Sequence, residues 1–376
     1  MDDQKTGGDR YPATPIQRAY FVGRQTALPM GGIECVACLT FSGKTLDIPR
    51  LRAALAAVAL QPALRMQFAS ATQLVEAAPQ PPVLHIHHQH SAQRADHLAR
   101  MNAHMLAHSV DLSAGKRWGA ELTCWDDGTT TLHLAVSLAA VDLQGLSGLM
   151  QLVGRHYRNE PGPDPVPVAL HFEQVAAERV RAEQKRQRHP GKQQRLAQGR
   201  MTSLPPPPAL PLVNFHPQEA GAPDYRTVVR RSRIYPPQQW AAVQQFAARH
   251  GVAASALLLA LYARALRLCS TQAEFAITVT QLPASAGAVR LAERTVTYAH
   301  RARASATLDG LLRDTHDDLH YRLLRGVDSE TELREARGNA ECPHPGLLPY
   351  IFTCALQQPV FDPQITDTFG QGALQG

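Results

Sequence analysis

The stretch that most limits the possible folds is TTLHLAVSLAAVDLQGLSGLMQLVGRHY, residues 130–157. Leu132, Leu134 and Val136 alternate with His133, Ala135 and Ser137, the period of a strand with one apolar face. Beyond a turn around 142–145, Leu146, Leu149, Met150 and Val153 recur at i, i+3, i+4, i+7, the stripe of a packed helix. A strand that runs directly into a buried helix implies an α/β layer, and the turn between them carries a single acid, Asp142. Two roles are open for that acid: it caps the helix, or it is a reactive group displayed on a rigid scaffold.

The rest of the chain repeats this alternation. YPATPIQRAYFVGR (11–24) predicts a short helix from Pro15 behind a cap at Thr14. Residues 33–41 read as a strand. LDIPRLRAALAAVAL reads as a helix capped by Asp47, with Leu51, Leu55 and Val58 inward. Strands at 64–76 and 83–88, a helix at 91–107 and a strand at 118–125 lead into the central strand, so the first half is an α/β sandwich. Residues 160–168 are proline-rich, and a polar helix is predicted over 170–200. In MTSLPPPPALPL (201–212) four consecutive prolines end any helix and favour a stiff, extended connector. The expected division is therefore 1–200 as a first lobe, 201–225 as connector and 226–376 as a second lobe.

The second lobe is predicted to hold a strand at 226–234 and a helix over PPQQWAAVQQFAARHG with Trp240, Val243 and Phe246 inward. Gly251 stops that helix. A helix buried on most sides follows over ASALLLALYARALRL, then strands at 274–281 and 294–300, a helix at 307–324 and a strand at 349–356. Two halves of similar order predict an internal duplication with a cleft between them.

Several classes of function are disfavoured. The net charge is +6, but the cations concentrate in 178–200 without the interleaved aromatics of a nucleic-acid stacking surface. The N-terminus lacks an apolar signal core, and ASALLLALYARAL is interrupted by Arg264, so neither export nor a membrane span is expected and the cytoplasm is the default location. Cys35 and Cys38 form a lone CxxC in a strand, where they point to opposite faces. HIHHQH (85–90) is the one candidate metal stretch, with His85 and His87 on one face, but it has no local acid or thiol to complete a site. No bound metal or cofactor is expected.

Tyr11, Pro12, Thr14, Gln17, Ala19, Tyr20, Gly23 and Arg24 fall at eight positions of a motif of the form FPLTxxQxAYxxGR, with Tyr for its first Phe. This resembles the opening motif of heterocyclization domains, a branch of the condensation-domain superfamily in nonribosomal peptide synthetases. QPALRMQF (61–68) is similar to the family's RHPMLRxxF block, and LPPPPALPL (204–212) to its LPxxPxLPL segment. DLHYRLLRGV (318–327) and YIFTCAL (350–356) stand where later blocks occur. The resemblance implies a pseudo-dimer of two chloramphenicol-acetyltransferase-like α/β lobes, arranged in a V around a central tunnel. The partners it implies are carrier proteins, whose phosphopantetheine arms bring the substrates. The activity it implies joins an upstream acyl thioester to a Cys, Ser or Thr thioester and closes a thiazoline or oxazoline ring.

The same resemblance identifies candidate site residues and departures. The family's DxxxxD falls on Ser137 to Asp142, so Ser replaces the first acid. The base histidine of related acyltransferases falls on Leu138. His133, on the strand face of Ser137, is the nearest substitute, although a lone strand histidine is commonly structural. Thr353 matches the Thr of the family's VFTS block, whereas the WLDxQ block that would supply a partner acid has no match. An ion pair between Asp142 and an arginine such as Arg24 would give both a structural role. Three readings follow: an acyltransferase that condenses and cyclises, a catalytically inactive docking module for carrier proteins, or an unrelated acyl-handling enzyme or histidine-dependent metal protein, for which HIHHQH is the one candidate stretch.

Overall fold

The computed structural model describes residues 9–25, 32, 34–108, 110–112, 115–187, 204–211, 231–281, 294–301, 307–325, 329–338, 348–356 and 361–375. The chain divides into two units. The first comprises Met1–Ala177, Leu282–Glu293 and Gln357–Gly376, and the second Glu178–Gln281 and Arg294–Leu356. The division expected from the sequence is 1–200, 201–225 and 226–376; by contacts the break falls at Ala177, and the C-terminal segment groups with the first unit.

The first unit is built on a five-stranded sheet of β2 (Val36–Lys44), β5 (Leu84–Gln89), β6 (Trp118–Trp125), β7 (Thr130–Ser137) and β11 (Gly370–Gln375), in the order β11-β2-β7-β6-β5. One face of β7, with Leu132, Leu134 and Val136, packs on α2 (Ile48–Val58) and α4 (Leu143–Tyr157) through Leu51, Leu55, Leu146 and Leu149. The other face is covered by α3 (Arg94–His108), with Met101 and Met105 against Cys38 and Ala135. The central strand is thus buried on both faces, which is why all eight of its residues are inaccessible. A smaller sheet joins β1 (Arg10–Pro12) to the hairpin β3 (Met66–Ser70) and β4 (Gln73–Glu76). That hairpin replaces the single strand expected at 64–76, because a 3-10 turn at Pro62–Arg65 precedes it and Ala71 and Thr72 form its bend.

In the second unit a three-stranded sheet, β10-β8-β9, is formed by β8 (Phe275–Gln281), β9 (Arg294–His300) and β10 (Ile351–Thr353). Helices α6 (Pro237–Arg249), α7 (Ala254–Cys269), α8 (Leu308–Arg325) and α9 (Ser329–Arg337) accompany it. Gly251 ends α6 at φ +66° as its position predicts, and Val243 and Phe246 face the core. Helix α7 is amphipathic rather than buried on most sides: Leu259 and Ala263 are inaccessible while Leu261 and Leu268 face outward. Residues 226–230 of the strand expected at 226–234 lie outside the described residues, and 231–236 carry no strand. The polar helix expected over 170–200 is α5 (Val168–Gln187); the remainder falls outside the described residues. Residues 204–211 of the proline segment carry neither helix nor strand and are fastened to the second unit: the amides of Ala276 and Thr271 donate to the carbonyls of Pro206 and Ala209 at 2.9 and 3.1 Å.

The return of the C-terminal segment has a clear physical cause. Strand β11 pairs antiparallel with β2 from Gly370↔Gly43 to Gln375↔Cys38 and so covers an edge that would otherwise be open. Just before it, α10 (Pro363–Phe369) places Ile365 and Phe369 in the core against Phe41, and Gln151 donates to Asp362 at 2.7 Å. The crossover turns on Gly370, at φ +97°, where an added Cβ would lie 2.0 Å from the Ser42 carbonyl oxygen. Gly370→Ala is therefore expected to destabilise the chain by about 2 kcal/mol or more. Gly23→Ala, where a Cβ meets open space, is expected to stay within about 0.5 kcal/mol. Urea unfolding of the two variants beside the parent checks the contrast.

Candidate functional site

The turn between β7 and α4 is held by its own backbone and by neighbouring segments. Ser137 donates its amide to the Arg117 carbonyl, and Leu138 donates to Cys35, each at 2.9 Å. The Ser137 hydroxyl accepts the amide of Ala139 at 3.1 Å, and its carbonyl accepts those of Ala140 and Val141. Asp142 then caps α4, its Oδ1 accepting the Gly145 amide at 2.8 Å. A carboxylate here satisfies an otherwise orphaned amide and lies at the positive end of the helix dipole. The capping role is thus present. Ser137 and Asp142 are each 1% exposed. Leu138, at the position of a base histidine, packs its half-buried side chain on the α2–α4 core.

The N-terminal motif is part of the same unit. Tyr11, on β1, stacks on Phe172 with ring centroids 4.3 Å apart, and Pro12 pairs with Gln73. Thr14 caps α1 (Pro15–Gly23) in a reciprocal capping box with Gln17. Gln17 also donates from Nε2 to the Ala139 carbonyl at 3.3 Å, which joins this motif to the turn. Tyr20 packs on the cluster beneath α3. Gly23 closes α1, and Arg24 forms an ion pair with Glu34 at 2.8 Å while its guanidinium lies over Phe21. No local pattern in the sequence indicates the Gln17–Ala139 bond, since it spans 122 residues.

His133 lies between Thr40 on β2 and Glu121 on β6, so these side chains share one sheet face. Thr40 donates its hydroxyl proton to Asn102 Oδ1 at 3.1 Å. His133 Nδ1, 3.3 Å from the same hydroxyl, must therefore carry the proton and donate it. This leaves Nε2 as a buried acceptor with no partner. The ring is inaccessible to solvent, and burial, reinforced by His97 and His87, pushes its pKa down to about 4. Such an imidazole is neutral at physiological pH and a weak base, which fits a structural histidine better than a replacement base.

Around it, His87 contacts Glu121 at 2.7 Å and His97 contacts Thr123 at 2.9 Å. The acid missing from HIHHQH in sequence is thus supplied by β6. Even so, among the described residues no group of three or more His, Cys, Asp or Glu side chains is arranged to hold a metal ion. Cys38, on β2, is buried with its thiol pushed up to about 11 by burial, while Cys35 is exposed and precedes the strand, so the expected placement of both cysteines within one strand is corrected. Thr353 ends β10 in the second unit, exposed and paired in register with Thr280. Ser137, Asp142 and His133 thus share one segment of the first unit, and Thr353 belongs to the other. Among the described residues no single helix is long and apolar enough to cross a membrane.

No family model matches the chain. Among curated proteins it is 26% identical over 374 residues to pyochelin synthetase PchE of Pseudomonas aeruginosa, covering 96% of this chain and 25% of that protein. It is 25% identical to phenyloxazoline synthase MbtB of a Mycobacterium species, covering 96% of this chain and 30% of MbtB. The chain therefore spans about a quarter to a third of the length of these relatives. Among solved structures, the cyclization-docking bidomain of the synthetase EpoB from Sorangium cellulosum superposes with a TM-score of 0.70 at 21% identity, over 97% of this chain and 74% of that one. The condensation domain of the polyketide synthase MokA gives 0.61 at 14% identity, over 89% and 78%. The mixed α/β fold is the one expected, that of condensation and cyclization domains.

Two outcomes follow from the geometry. The folded pKa of His133 lies below its unfolded value near 6.5. The unfolded chain therefore takes up the proton first, and the stability due to a neutral His133 is full above about pH 6.5 and falls as pH drops toward 4. His133→Asn is expected to flatten the pH dependence of the urea midpoint across this window; an unchanged slope would assign the acid sensitivity to other groups. Asp142→Ala is expected to cost about 1 kcal/mol through loss of the cap. Asp142→Asn, which keeps an accepting oxygen, is expected to cost less than half of that, as read by thermal melts of both variants.

Proposed function

We propose, from the premise that this chain belongs to the condensation-domain superfamily of nonribosomal peptide synthetases, that it condenses and cyclises carrier-bound substrates. The amine of a Cys, Ser or Thr thioester attacks an upstream acyl thioester, expelling the donor thiol and forming an amide. The side-chain thiol or hydroxyl then adds to the amide carbonyl, and loss of one water leaves a thiazoline or oxazoline. The thioester is already activated, so the protein needs to align two tethered reactants and move protons during dehydration. The reactants arrive on phosphopantetheine arms of carrier proteins.

One observation supports the cyclising branch over simple condensation. The cyclization bidomain superposes better and over more of the chain, at 0.70 and 97%, than the condensation domain of MokA, at 0.61 and 89%. The replacement of a base histidine by Leu138 agrees with it, because that base serves simple acyl transfer. In this reading Asp142 and Thr353 are the candidate groups for moving protons in the dehydration. His133 supports the strand, and Ser137 secures the turn.

The test is to load donor and cysteinyl carrier proteins, add the chain and follow the acceptor by mass spectrometry. The expected product has lost one water relative to the amide. In Asp142→Asn, cyclodehydration is expected to slow by about a hundredfold while the uncyclised amide still accumulates. Carrier binding without either product would identify a docking module and overturn the proposal.

A further inference from the structure

Gln17 is 7% exposed and uses both halves of its amide. Its Oε1 accepts the Thr14 amide at 2.9 Å, closing the capping box of α1, while the Thr14 hydroxyl accepts the Gln17 amide at 3.2 Å. Its Nε2 leaves the helix and donates to the Ala139 carbonyl at 3.3 Å. Ala139 is 5% exposed and lies two residues after Ser137 and three before Asp142. A buried carbonyl that loses its donor costs about 1–3 kcal/mol, so the turn is held wherever α1 holds Gln17. A side-chain amide serves both as acceptor for the cap, through its oxygen, and as donor to the turn, through its nitrogen.

From this geometry we infer that Gln17 is a positioning residue, which couples the N-terminal motif to the Ser137–Asp142 turn and thereby fixes the Asp142 carboxylate. The structural half of this inference stands on the two hydrogen bonds alone, and its catalytic consequence rests on the proposed function. The two jobs can be separated chemically. Glu at position 17 keeps an accepting oxygen for the cap, since Glu and Gln both serve in capping boxes, but it has no donor for Ala139. Thr14→Ala does the reverse, weakening the cap while leaving the donor in place.

The experiment uses the full chain and two readouts, amide hydrogen exchange of a peptide spanning residues 138–146 and steady-state kinetics with loaded carriers. In Gln17→Glu, exchange across 138–146 is expected to rise by about tenfold, and kcat to fall by about tenfold with KM unchanged. In Thr14→Ala, the melting temperature is expected to fall while exchange in that peptide and kcat stay near parent values. Gln17→Met removes the donor without burying a charge and decides the matter if the Glu variant does not fold. Unchanged exchange in 138–146 in the donor-less variant overturns the inference. If the parent shows no turnover, the proposed function fails, and the exchange result still decides the role of Gln17.

Discussion

The end of β7 is where three distant pieces of chain meet, and the architecture of the first unit depends on their agreement. Its last residue donates to Arg117 on one side, the next donates to Cys35 on the other, and Ala139 accepts from Gln17. None of these bonds is large by itself, at about 1 kcal/mol net. The bonds of Ser137 and Ala139 join buried residues, however, so losing either leaves a costly orphan. Because the residues immediately preceding β6 and β2, and helix α1, each contribute, the turn cannot shift without disturbing the sheet and the N-terminal helix together. Rigidity of this kind is what a site needs if a carboxylate is to be kept at one orientation.

The two faces of β7 show how one strand divides stability from polarity. Leu132, Leu134 and Val136 enter the apolar core beneath α2 and α4, where burying each side chain contributes about 2 kcal/mol. The opposite face carries Thr131 and His133 within a layer that includes Thr40, Glu121, Thr123 and His97. That layer is satisfied through side-chain pairs across strands and from α3 and has one residual acceptor, His133 Nε2. A buried polar layer specifies register strongly, because a one-residue slip would exchange it with the apolar face. It also makes this part of the unit sensitive to acid, since His133 and His97 both have lowered pKa values, chiefly through burial.

Much of this was legible from local pattern. The bounds of β6 and β9, the alternation of β7, the caps Thr14, Asp47 and Asp142 and the stop at Gly251 follow from strand period, capping preference and glycine at a helix end. What was not legible is long-range. The crossing of β11 to β2 depends on Gly370 and Phe369 meeting residues more than three hundred positions earlier, roughly the whole chain away. The acid beside His87 comes from another strand. The outward face of α7 looked buried because leucine and alanine dominate it, and composition does not reveal which leucines lack a partner.

Ser137 stands where the motif that this turn resembles carries its first acid. Two carboxylates five residues apart, both nearly inaccessible, would have to share a region of low dielectric, and each would raise the cost of ionising the other. Serine at this position removes one of those charges and keeps the local geometry, because its hydroxyl accepts the Ala139 amide as a carboxylate oxygen would. The turn is therefore preserved for reasons of folding, and its preservation is not in itself a measure of catalysis. In contrast, Asp142 is required by the cap of α4 in either case. Charge is then the property that separates its two roles, since an asparagine caps nearly as well as an aspartate but cannot take up a proton in the same range.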